Sequence, residues 1–129
     1  AWYANAHTRP DTLSKAAAQL VEAMIAFPEH VAGQGRACTH LMRAAKEPVA
    51  IKTGAEGYFV AILPERGMGL ALKITDGATR AADCAVAALL VQLGVLDEAD
   101  PEVQRFLCPP IHNRAGIEVG RIATAPGFP

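Results

Sequence analysis

The sequence contains one serine, Ser14, in 129 residues. Aromatic residues are few, at 5%, which leaves little surface on which nucleic-acid bases could stack. Neither sign of charge is in excess: twelve Lys and Arg stand against thirteen Asp and Glu, a net charge of −1. No basic face is available to neutralise a phosphate backbone, so nucleic acid is excluded as a partner. No apolar run is long enough to cross a bilayer. The most hydrophobic stretch, Ala81 to Leu96, is interrupted by Asp83 and Gln92 and spaced like a helix of a globular domain, so no membrane partner is expected. No charged-then-apolar leader opens the sequence, and the expected localisation is cytoplasmic. Three cysteines, Cys38, Cys84 and Cys108, are an odd number at wide, irregular intervals. That pattern fits reduced thiols rather than a disulfide framework or a zinc knuckle.

What is present is enough apolar residue for a core. The chain is 51% hydrophobic and 19% charged, which excludes a disordered polymer. At this length it should bury roughly two-thirds of its unfolded surface. No repeat, low-complexity stretch or linker divides it. Residues 1–129 therefore form a single domain, or the C-terminal part of a larger catalytic domain.

Ala1 to Arg9 read as irregular, and Pro10 stops any structure there. Asp11 or Thr12 can cap a helix with Leu13, Ala16, Ala17, Leu20, Val21 and Met24 as its buried stripe, ended by Pro28. Val31 to Arg36, with Gly33 and Gly35, reads as a loop, and a short helix is expected from Thr39 to Lys46. The period then changes. Val49 to Lys52, Tyr58 to Leu63 and Gly69 to Thr75 read as three strands, with Pro64-Glu65-Arg66-Gly67 as a turn that needs a left-handed glycine. Asp76 or Thr79 caps the strongest helix, in which Ala82, Ala85, Val86, Leu89, Leu90 and Leu93 repeat at helical spacing and Gly94 is the stop. Pro101 to Leu107 predicts a short helix, Cys108-Pro109-Pro110 an extended exit, and Ile117 to Ile122 a last strand. The predicted class is α+β: an antiparallel β-meander covered by helices.

One short motif carries a mechanism. Lys52-Thr53-Gly54 closes the first predicted strand, and a K-T-G tripeptide lines the active site of penicillin-recognising serine enzymes. The strand edge offers backbone groups, the Thr hydroxyl can bond a substrate carboxylate, and the ammonium supplies positive field beside a nucleophile. By itself the tripeptide reads more readily as a surface lysine leading into a turn. Its order here adds meaning, because a K-T-G strand, two antiparallel strands and a long helix end the serine β-lactamase-like fold. The partner motif S-x-x-K is missing, since Ser14 is followed directly by Lys15.

A wider pattern surrounds the tripeptide. Pro28 to Arg36, Leu41-Met42-Arg43-Ala44-Ala45, Lys52-Thr53-Gly54-Ala55-Glu56-Gly57, Leu63-Pro64-Glu65-Arg66-Gly67, Gly69 to Ile74 and Asp76-Gly77 with Arg80-Ala81 resemble the asparaginase II family, the rhizobial-type L-asparaginases. Pro109-Pro110, Asn113 and the segment from Gly116 to Gly120 continue the likeness. The resemblance implies the C-terminal part of a serine β-lactamase/glutaminase-like fold, and an amidohydrolase that converts L-asparagine to L-aspartate and ammonia. It implies a centre of two serine–lysine pairs in which Lys52 matches the lysine of the second pair. The role so implied is to lower the pKa of a serine hydroxyl and shuttle its proton. Thr53, Gly54 and Glu56 would border the substrate, although Glu56 could equally serve its turn alone. Both serines and the other lysine belong upstream, as do the two cysteines and the lysine of the family's zinc site. No metal or cofactor is therefore expected on this chain, and a missing N-terminal part of the same protein and a second copy in a homodimer are its implied partners.

Other candidates read more plainly. Cys38-Thr39-His40 places thiol and imidazole two apart on a helix, where they face different ways. Cys84 reads as core filler, His112 has no sequence partner, Arg36 suits a salt bridge at the start of a helix, and Asp97 to Asp100 a solvated loop. Two rival readings remain: a related penicillin-recognising hydrolase, and a non-catalytic stand-alone scaffold module.

Overall fold

A computed structural model describes residues 5–6 and 11–128. Helix α1 (Thr12–Ala26), α2 (Pro28–Ala32) and α3 (Ala37–Ala44) lead into three strands, β1 (Ala50–Gly54), β2 (Tyr58–Leu63) and β3 (Met68–Lys73). Helices α4 (Thr79–Gln92) and α5 (Pro101–Leu107) follow, then β4 (Pro110–His112) and β5 (Glu118–Arg121). The class is α+β, as the sequence predicts.

The strands form an antiparallel meander in the order β1-β2-β3, with Lys52 opposite Val60 and Val60 opposite Ala71. Successive side chains of a strand point to opposite faces. Ile51, Phe59, Ala61 and Leu63 therefore share the inner face, where they pack with Leu41 and Met42 of α3, Ala82, Val86 and Leu90 of α4, and Val103 of α5. Each large side chain so buried contributes about 1.5–3 kcal/mol. Lys52, Val60, Ile62, Gly69 and Ala71 fall on the other face, which α1 covers only in part. The turn between β2 and β3 is a 3-10 helix, Pro64–Arg66, closed by Gly67 at φ +58 as its sequence demands.

Several local expectations change. In α1 the buried stripe is Ser14, Ala17 and Val21, while Leu13 and Leu20 are 69% and 62% exposed. Asp11 is the cap: its carboxylate accepts from the Ser14 amide at 2.9 Å and from the Ser14 hydroxyl at 2.7 Å. A serine satisfied in this way can be buried, and small residues let α1 approach its neighbours closely. Pro28 opens a second helix rather than only ending the first, because a proline at the first helical position forfeits no hydrogen bond. The expected loop at Val31 shrinks to Gly33–Arg36, with Gly33 and Gly35 both at positive φ, and the buried Thr39 hydroxyl donates to the Gly33 carbonyl at 2.6 Å.

Helix α3 starts two residues earlier than expected. Ahead of α4 the cap position is Ala78, and the Asp76 carboxylate instead accepts the Ala78 amide at 2.8 Å in a local turn. The extended exit and the last predicted strand pair with each other as a separate ribbon, β4 with β5. The expectations for residues 1–4 and 7–10 lie outside the described residues.

Candidate active site

Strand β1 is an edge of the meander, and Lys52 stands at its centre. Its side chain is exposed, its amine donates to the carbonyl of Thr53, and it makes no ion pair among the described residues. Two grooves meet beside it. One, of about 500 Å³, lies between Leu20, Val21 and Met24 of α1 and Val60, Ile62 and Ala71 of the sheet. The other, of about 480 Å³, lies between the end of α1 and α2 and is bordered by Leu20, Met24, Phe27, His30 and Val31. Among the described residues Lys52 is the one lysine or arginine that lines either of these two grooves, and it lines both. A single cation against apolar walls leaves its charge weakly opposed, which suits it to bind an anion.

The residues after Lys52 are held from behind. The Thr53 amide donates to the Cys38 sulfur at 3.3 Å, which ties the outer edge of β1 to α3. The Thr53 hydroxyl lies 3.4 Å from the carbonyls of Gly54 and Tyr58, at the long limit of a hydrogen bond. Burial pushes the Cys38 thiol up, against the smaller opposing effects of the Thr53 amide, Lys52 and Arg36. Burial also raises the Asp83 carboxyl on α4, with Arg36 opposing it. Gly54 faces Tyr58 across the ladder, and a Cβ at Gly54 would stand 2.8 Å from Tyr58 Cδ1.

Glu56 sits at the tip of the β1–β2 turn with φ +58, the one non-glycine residue at positive φ among those described. Its carbonyl accepts from the Lys73 amine, its side chain is exposed, and it lines neither groove. The structure thus brings Lys52, Thr53 and Gly54 to one strand edge and sets Glu56 on the turn beyond it. Sequence reasoning missed the groove walls: Leu20, Met24, Phe27 and His30, and Tyr58 over Gly54. The hairpin register was the available signal for Tyr58. For the others there was none, because their convergence is tertiary.

The remaining candidates are accounted for structurally. Ser14 is fully buried and bonded to Asp11, so it is not available as a nucleophile. Cys38 is buried while His40 Nδ1 turns to Glu102 Oε2 at 2.6 Å, so thiol and imidazole part as helical spacing requires. Cys84 is buried and donates to the Leu107 carbonyl at 3.2 Å. Arg36 makes no ion pair among the described residues. Asp97 pairs with Lys46 at 3.2 Å and Asp100 caps α5, so two acids of the solvated loop have structural tasks. The described residues do not suit a zinc ion. No three His, Cys, Asp or Glu side chains converge, and burial raises the thiols of Cys38 and Cys84. No described helix is long and apolar enough to cross a membrane.

The sequence model of the L-asparaginase II family matches residues 1–124, almost the whole chain. No curated protein matches it. The chain belongs to the L-asparaginase II family.

Proposed function

We propose, with that membership as premise, that the chain supplies Lys52 to an amidohydrolase centre that converts L-asparagine to L-aspartate and ammonia, its catalytic serines lying outside these residues. The observation that carries the reading is the position of Lys52, the shared cation of two grooves at an exposed strand edge.

Amide hydrolysis needs a nucleophile and a group that takes its proton and returns it to the leaving nitrogen. In this reading a serine oxygen attacks the side-chain carboxamide carbon while the Lys52 amine, which must have lost its own proton for this step, accepts the hydroxyl proton. Lys52 then gives that proton to the nitrogen as the C–N bond breaks, and ammonia leaves. Water attacks the resulting ester, Lys52 takes the proton of that water, and the serine oxygen recovers it as aspartate departs. Thr53 and Gly54 shape the strand edge beside the substrate, and Glu56 lies on the turn that follows. The fold is of the serine β-lactamase/glutaminase type, the protein works in the cytoplasm, and a second copy completes a homodimer. Zinc, where the complete enzyme holds it, takes ligands from outside this chain.

One observation favours a non-catalytic module instead: the only serine is buried and committed to the cap of α1. Ammonia release from L-asparagine separates the two. The chain joined to its family's upstream segment is expected to release ammonia and the chain alone is not. Silence from the joined protein, shown to be folded, would decide for the module.

A further inference from the structure

Cys84 and Cys108 come together at the root of the β4–β5 ribbon. Cys84 lies midway along α4, and its sulfur stands 3.2 Å from the carbonyl oxygen of Leu107. That oxygen belongs to the peptide that joins Leu107 to Cys108, so the Cys84 sulfur lies against the backbone that leads into Cys108. Cys108 ends α5 at φ −142 and ψ 54, outside the helical region, and is half-buried, whereas Cys84 is fully covered. Electrostatics agree with the contact. Burial pushes the Cys84 thiol up first, and Cys108 raises it further.

A third group completes the cluster. Pro110 pairs with Arg121, and the Ile122 amide donates to the Pro109 carbonyl at 3.0 Å, which returns β5 alongside Cys108. Arg121 is held at 2.7 Å by Glu118, and its pKa is raised first by Glu118 and then by the nearby Cys108. An accessible thiol beside a cation, with a covered thiol close behind it, is the arrangement of an oxidation site with its resolving partner. A disulfide requires α-carbons about 4.4–6.8 Å apart. The Cys84 sulfur already touches the peptide that precedes Cys108, which places the two residues side by side.

We propose that Cys108 and Cys84 form a reversible oxidation site for hydroperoxides, closed by a disulfide that fastens the ribbon to α4. The Cys108 sulfur, its proton lost to solvent, attacks a peroxide oxygen. The O–O bond breaks, and hydroxide or alkoxide leaves and takes up a proton. The product is a sulfenic acid on Cys108. The Cys84 sulfur then attacks that sulfur, the S–S bond forms, and the S–O bond breaks. The departing hydroxide takes the Cys84 proton and leaves as water. Two thiols have supplied two electrons, and the hydroperoxide has been reduced to water or an alcohol and water. A small dithiol reverses the change by exchange. The ribbon is where the consequence falls, since β4 and β5 form a separate two-stranded sheet with nearly every residue exposed.

The test uses the full chain, treated with one equivalent of hydrogen peroxide, alkylated and mapped by mass spectrometry. The expected product is lighter by two hydrogens, carries a Cys84–Cys108 linked peptide, and regains both thiols with dithiothreitol. Cys84→Ser should leave a Cys108 sulfenic acid that dimedone traps, and Cys108→Ser should leave Cys84 reduced. Because Cys84→Ser alters the core, dimedone is also added to the unmutated chain, where trapping should compete with disulfide formation in proportion to its concentration. A Cys108 carrying two or three oxygens beside a free Cys84 thiol would overturn the proposal. A linkage through Cys38, or between two chains, would do the same.

Discussion

Tyr58 lies across Gly54, its ring carbon Cδ1 standing 2.8 Å from where a side chain on residue 54 would begin. The two are cross-strand partners at the end of the β1–β2 ladder, on the face that carries Lys52. The glycine of the tripeptide thus has a packing reason to be there, independent of any substrate.

Gly54→Ala should therefore destabilise the fold by about 1 kcal/mol, since the ring must move to admit a methyl group. In a Tyr58→Ala background the same change should stabilise by about 0.4–1 kcal/mol, because the remaining effect is the reduced freedom of the unfolded chain. Urea unfolding of the four proteins measures the coupling. Additive effects would mean that the ring does not occupy that space.

The orientation of α1 has its own consequence. Leu20 is 62% exposed and Leu41 is fully buried. Leu41→Ala should cost about 2–5 kcal/mol, and Leu20→Ala should stay within about 0.5 kcal/mol of the parent. Similar losses at both sites would return Leu20 to the interior.

Glu56 holds a left-handed conformation at φ +58 that costs a residue with a side chain about 1 kcal/mol. Glu56→Gly should raise stability by about 0.5 kcal/mol, the relief being partly offset by greater freedom of the unfolded chain. Gly57→Ala next to it should do the opposite. Its Cβ would meet the backbone of Gly77 and the side chain of Ile74 at 3.0 Å, at φ +67. Thermal melts of both variants decide the point.

The clasp between α3 and α5 should weaken in acid. The Glu102 carboxyl is held below its ordinary 4.5, first by the hydrogen bond from His40 and then by Arg105. A folded-state value below the unfolded one stabilises the fold above pH 4.5, and the contribution is lost as pH falls through the folded-state value. Glu102→Gln should be less stable than the parent at neutral pH, and the gap should close in acid. A gap independent of pH would attribute the effect to the packing of the His40 ring on Phe106, centroids 5.6 Å apart, instead.

The meander was legible because its signals are local. The alternation from Leu70 to Ile74 and the Pro64 to Gly67 turn each permit few backbone solutions. The buried face of α1 was not, because its leucines and its small residues form competing stripes. The choice is made by Asp11 satisfying a buried Ser14 and by how closely the helix lies beside β1. Pro28 was read as a stop because a proline that starts a helix looks the same in sequence as one that ends it. Lys52 could be singled out from its tripeptide and the surrounding pattern. Its grooves could not, since Leu20, Phe27 and His30 meet it only once α1 and α2 are packed. The ribbon was half seen: one strand was predicted, and its partner was hidden in a proline-rich exit too short to show a period.

The central claim is that Lys52 moves the proton in amide hydrolysis. The direct measurement is ammonia release from L-asparagine by the chain joined to its family's upstream segment, comparing the parent with Lys52→Met. Matching circular dichroism and melting would show that both are folded. The account predicts that kcat falls by several orders of magnitude while the fold is kept. Turnover unchanged by the substitution would contradict it, and would leave Lys52 as an exposed residue of an edge strand.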